Sequence, residues 1–215
     1  VVTPFDVPDG RVAPDLAILD TVVRFVGDEV AAVAADDEDI ALEAIGLLEV
    51  HYDPLPFVTD AREALLPNAP AVHPEGNLAG GEPLTLTRGN VEEGFAEADR
   101  VFEDTYTTPA HSGAALEPRA AIASWDGDRL TVWKTTRGVH ADRTTMSLAL
   151  GIPKENIRVV GPALGAGYGN KDETRLAAIT AILAQRDLHL AVTSPPTPTP
   201  EPQHDDGTPP PDFMC

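Results

Sequence analysis

Apolar and polar positions along this chain repeat at two spacings, and the change between them marks out short strands and four helices. β-branched runs predict strands over 22–26 and 30–35, separated by a turn at Gly27 and Asp28. Asp36, Asp37 and Asp39 put negative charge where a helix should begin. Ile40, Ala44, Leu47 and Leu48 then recur at helical spacing until about Glu49. Residues 50–52 predict a returning strand, stopped by Pro54 and Pro56. Past a segment rich in proline and glycine, residues 84–87 and 100–107 predict strands. Between them Asn90 and Glu93 have the spacing of a capping box for a helix to about Ala98. The clearest local signal is a hairpin. Two β-rich runs, 119–124 and 129–135, flank an Asp-Gly turn at Asp126 and Gly127. Residues 140–150 predict a helix ended by Gly151 and Pro153, followed by a strand at 157–160. Leu176, Ile179 and Leu183 predict a last helix, with Asn170 and Glu173 as its capping box. The elements add up to an α+β (mixed α/β) fold.

Between that last strand and helix lies Gly165-Ala166-Gly167-Tyr168-Gly169. Alternate glycines let a backbone approach a ligand closely, and the amides of a helix start behind them favour an anionic or oxo group. A phosphate-binding P-loop needs Gly before the lysine and Ser or Thr after it; Asn170 and Asp172 stand there instead. A dinucleotide fingerprint counted from Gly165 needs a third glycine at Asn170 and also fails. A nucleotide site therefore stays a weaker alternative, and a tight turn with no ligand remains open on spacing alone.

Four segments in order carry a resemblance: 26–35, 50–56, 115–123 (which contains Leu116-Glu117-Pro118-Arg119) and the glycine loop with its flanks, 159–173. Together they resemble the large, molybdenum-binding subunit of the xanthine dehydrogenase/aldehyde oxidase family, over residues 1 to about 185. The resemblance implies a small hammerhead-type α/β domain at 1–66, a linker at 67–83, and the first part of a molybdopterin-binding domain at 84–186. It implies a molybdopterin-type molybdenum cofactor and hydroxylation of an aldehyde or N-heterocycle with oxygen from water. Gly165, Ala166, Gly167, Gly169 and Arg137 are the implied cofactor-binding residues, and Tyr168 and Asp172 the implied substrate-binding ones. Arg137 departs from the glutamine usual in the family, and Tyr168 from its phenylalanine. Glu117 is expected to be a buried hydrogen-bond acceptor. The catalytic base is expected outside this chain, and iron–sulfur and flavin groups on partner domains or subunits. The chain thus reads as a fragment inactive alone; a non-catalytic truncated or subunit-docking module is the other reading.

Charge narrows the partners. A net charge of −20 and a pI near 4.4 argue against a nucleic-acid partner, because phosphates would be repelled. Lysine occurs only at Lys134, Lys154 and Lys171. Acidic residues with so little lysine suit either a highly saline cytoplasm, where salt screens self-repulsion, or an ordinary acidic enzyme. The single Cys215 and the absence of an 18-residue apolar run predict a cytoplasmic protein without disulfide or membrane span. His111 and His140 lack metal-ligand spacing, and no metal site is expected from side chains. Residues 187–215, dense in proline, predict a disordered tail.

Overall fold

The computed structural model describes residues 1–78, 81–109, 111, 113–186 and 190–193. A two-strand hairpin, β1 (Arg11–Ala13) and β2 (Leu16–Ala17), turns near Pro14. Helix α1 (Glu38–Gly46) follows. Asp37 caps it, its carboxylate accepting from the Ile40 amide at 2.8 Å. Helix α2 (Val91–Glu97) starts the same way, with Asn90 accepting from Glu93. Neither helix buries a residue. Strands β3 (Ala120–Asp126) and β4 (Arg129–Lys134) form the expected hairpin, with Gly127 at φ 56° in its turn. Helix α3 (Val139–Leu150) stops at Gly151, whose left-handed φ of 68° suits a residue without Cβ. It leads through Pro153 to β5 (Ile157–Val160), and β5 pairs parallel to β4. Helix α4 (Arg175–Arg186) and strand β6 (Leu190–Thr193) complete a sheet of order β5-β4-β3-β6.

Helix α4 lies at the centre of the fold. Ala177, Ala181 and Ala184 pack on Ala121, Ala123, Leu130 and Val132 of the sheet, together with Met146 of α3. The opposite side, Ala178, Ile179, Ile182 and Leu183, packs on Val2, Ile18 and Leu19. Small side chains let a helix be covered on both sides, which is why the stretch is rich in alanine. Trp125 donates from Nε1 to the Ala181 carbonyl at 2.9 Å and ties helix to sheet. This second cluster draws residues from the first 35 positions into one core with α3 and α4. It therefore crosses the expected division between 1–66 and 84–186.

Several expectations are corrected. Residues 22–26, 30–35, 50–52, 84–87 and 100–107 form no regular strand. Their composition favours extended backbone, but a strand needs a ladder partner. Of these runs only Ala32 has one, in a single bridge to Val2. The strand-strand-helix-strand unit is accordingly reduced to α1 and that bridge. Helix α4 begins at Arg175, not behind Asn170. Asn170 sits in a turn, its amide donating to Gly167, and the residues that would have formed the first helical turn are held by distant partners instead. Leu190–Thr193 pairs with β3, so this part of the expected tail is ordered in the sheet; residues 187–189 and 194–215 lie outside the described residues.

Candidate functional site

Five consecutive residues, Lys171 to the first residue of α4, Arg175, are each tethered to a distant part of the chain. The Lys171 ammonium, almost fully buried, lies 3.0 Å from Glu117 Oε1. The two form an ion pair, and Glu117 is the one partner of the Lys171 ammonium among the described residues. Asp172 Oδ1 accepts from Arg137 Nε at 2.6 Å in an exposed pair, which raises the Arg137 pKa. Glu173 pairs with Arg119, and its carbonyl accepts from Lys134 Nζ at 2.8 Å. Thr174 Oγ1 donates at 3.0 Å to Asp142 Oδ1, which also holds Lys134 Nζ at 3.1 Å. Buried Arg175 meets Asp28 at 2.6 Å and also Glu29, and it donates to the Ala17 carbonyl at 3.0 Å. Burial acts to lower the Arg175 pKa; the two carboxylates outweigh it, and the net shift is upward.

The glycine loop behaves differently along its length. Glu117 Oε2 accepts from the Gly165 and Ala166 amides, the latter at 3.0 Å. A Cβ at Gly165 would collide with that carboxylate oxygen, so a larger residue there would push Glu117 off the loop amides. The Lys171 ammonium first, then the two amides, hold the Glu117 carboxyl below its ordinary range. Beyond this point the chain is open. Tyr168 takes a left-handed φ of 47°, rare for a residue with a bulky side chain, and Gly169 takes 88°. The amides of Gly167, Tyr168 and Gly169 donate to nothing among the described residues. Tyr168 is 76% exposed.

The structure thus brings together the residues predicted from sequence. Gly165, Ala166, Gly167, Tyr168 and Gly169 form the loop, and Arg137 and Asp172, 35 positions apart, meet beside its end. Gly165 and Ala166 spend their amides on Glu117, which leaves the outer half of the loop as the free hydrogen-bonding edge. Glu117 itself is an acceptor as expected, though its side chain is 29% exposed and not fully buried. Lys134, Asp142, Thr174 and Arg119 were not singled out by sequence. A buried Lys134 on a strand, opposite a buried Asp142 on the next helix, is the signal that pattern reading could have used. A void of about 10 Å³ between Lys134, Lys171 and Glu173 has room for at most one water, and no loop residue lines it. Two grooves of about 490 Å³ lie elsewhere, one beside Trp125 and Ile182 and one beside Phe57 and Leu66, and no loop residue lines either.

Comparison with known proteins places this arrangement in context. Residues 72–192 match the family described as molybdopterin cofactor-binding domain. A probable xanthine dehydrogenase subunit of Bacillus subtilis (strain 168) is 37% identical over 190 residues, covering 86% of this chain and 25% of that protein. Among solved structures, reconstituted CO dehydrogenase from Oligotropha carboxidovorans superposes with a TM-score of 0.71 at 30% identity, over 86% of this chain and 26% of that one. Quinoline 2-oxidoreductase from Pseudomonas putida 86 superposes with a TM-score of 0.68 at 27% identity, over 82% of this chain and 23% of that one. The chain spans about a quarter of the length of these relatives.

Proposed function

Since the chain belongs to the molybdopterin cofactor-binding domain family, which its match over residues 72–192 establishes, we propose that the glycine loop is one wall of a site for a molybdopterin-type molybdenum cofactor. The observation that carries this reading is the unpaired stretch of the loop: three consecutive amides, at Gly167, Tyr168 and Gly169, have no acceptor among the described residues, while the loop's start is held by Glu117. Such an edge suits oxo or anionic acceptors. The loop occupies open surface and not a closed cavity, which fits a chain that supplies one wall while the rest of a longer subunit supplies the others.

When bound, the molybdenum group supplies two-electron chemistry with oxygen from water. This chain's residues bind and orient. Gly167 and Gly169 allow close approach and donate their amides. Arg137 donates to Asp172 through Nε and presents a permanent charge toward the cofactor. Asp172 retains one oxygen to accept from a substrate N–H, and the Tyr168 ring forms an aromatic side wall. The reaction we assign to the whole assembly is hydroxylation of an aldehyde or N-heterocycle, with iron–sulfur and flavin groups on partner domains or subunits and the catalytic base outside this chain. The chain alone should be inactive. No helix among the described residues is long and apolar enough to cross a membrane; a cytoplasmic site of action, and a hammerhead-like origin for the N-terminal region, belong to the same proposal.

The test is an anaerobic titration of ¹⁵N-labelled chain with molybdopterin, and separately with a nucleoside triphosphate. Pterin should shift the amide signals of Gly167, Tyr168 and Gly169, and the nucleotide should not. Shifts produced by the nucleotide alone would overturn the reading.

A further inference from the structure

Three features converge on one side chain the proposed chemistry does not use. Glu117 lies 48 positions before Gly165 in the chain, yet its Oε2 takes both amides at the start of the loop and its Oε1 faces Lys171 at the loop's end. One carboxylate thus closes the base of the loop from both sides. Gly165 is the residue whose missing Cβ makes room for it. The neighbouring elements contribute few other holds. Gly113 lies against Tyr168 and Asn170, where a Cβ would come within 3.0 Å of Asn170 Nδ2 and 3.1 Å of the Tyr168 carbonyl oxygen. The Gly167 carbonyl accepts from Asn170 at 2.9 Å. Neither contact orients the Gly165 and Ala166 peptides.

We propose that Glu117 is the positioning residue of the glycine loop: by holding the Gly165 and Ala166 amides inward and neutralising buried Lys171, it keeps the amides of Gly167, Tyr168 and Gly169 turned outward for the cofactor. What the outer amides receive rests on the function proposed above; the hold itself does not. The carboxylate form is the one that accepts both amides and pairs the ammonium, so the hold is complete above the ordinary glutamate value and is lost as pH falls through the lowered one. The other carboxylates of this segment pair elsewhere, Glu173 with Arg119, Asp172 with Arg137, and Asp142 with Lys134 and Thr174, although Glu173 Oε1 and Asp142 Oδ2 keep no hydrogen-bond partner among the described residues.

The experiment follows backbone amides of the full chain by hydrogen exchange, with pterin affinity as a second readout. Glu117→Ala should raise exchange at Gly165 and Ala166 about tenfold or more, as expected when a charged acceptor is lost. It should leave α4 unchanged and weaken pterin binding about tenfold. Glu117→Gln keeps an acceptor and should restore part of the protection. Gly165→Ala should mimic Glu117→Ala and add little to it in the double variant, because both act on one contact. If Glu117→Ala unfolds by stranding Lys171, the double variant Glu117→Ala with Lys171→Met carries the same test without a buried charge. Unchanged exchange at Gly165 and Ala166 would overturn the proposal, as would faster exchange with unaltered pterin affinity, or additive effects of the two substitutions. Faster exchange in a chain whose native form binds no pterin would leave the hold standing, but it would overturn the cofactor role together with the function reading.

Discussion

Helices α1 and α4 make an instructive pair. Helix α1 has a well-formed cap at Asp37 and three acidic residues around its start, yet every residue in it stays at least partly exposed. Helix α4 has no comparable local cap and starts from a lead-in held by distant partners, yet nine of its residues are buried. One helix is specified locally and stabilises little; the other is specified by what surrounds it and organises the core. Capping satisfies amides within one turn, whereas burial requires neighbours that only the folded chain provides. The same contrast runs through the glycine loop, whose inner half is held by Glu117 and whose outer half is free.

Substitutions at the two helices should break or sharpen this contrast. The largest effect belongs to Arg175→Ala. It leaves the Asp28 carboxylate, 4% exposed, without its cation and should cost about 3–5 kcal/mol in urea unfolding; a loss below about 1 kcal/mol would mean the lead-in does not anchor α4. Next comes Ala181→Leu. This fully buried position lies against the sheet, so overpacking should cost about 1–3 kcal/mol in the same assay, and a neutral result would show the helix has slack against β3. The smallest is Asp37→Ala. Loss of a cap is worth about 0.5–2 kcal/mol to the helix it caps. Because α1 buries none of its residues, hydrogen exchange in 38–46 should quicken while the global unfolding midpoint stays put. A matching fall in the midpoint would show that α1 is coupled to the core after all.

Much of the fold was legible because its signals are local. The Asp-Gly turn at Gly127, the glycine stop at Gly151, the acidic start of α1, the cap at Asn90, and the strand after Pro153 each depend on a few adjacent residues. The misassignments share one cause. Residues 30–35 and 100–107 have strand composition, but no neighbouring backbone completes a ladder apart from the Ala32 bridge. Asn170 and Glu173 have capping spacing, but Glu173 is drawn to Arg119 and Thr174 to Asp142, so the helix waits until Arg175. A proline-dense composition hid the strand at Leu190–Thr193, whose partner is β3 some seventy residues earlier.

From the sequence alone came the membership suggested by four ordered segments, the local elements, and the glycine-rich run as the place to look. These depend on short-range sterics and hydrogen bonds, which residue order carries directly. Tertiary structure alone decided which residues share a neighbourhood: that Arg137 meets Asp172, that Glu117 rather than a ligand occupies the inner amides, and that Lys171 is buried beneath them. Contacts between residues tens of positions apart are set by how the sheet, α4 and the N-terminal segment pack, and packing depends on the whole chain at once.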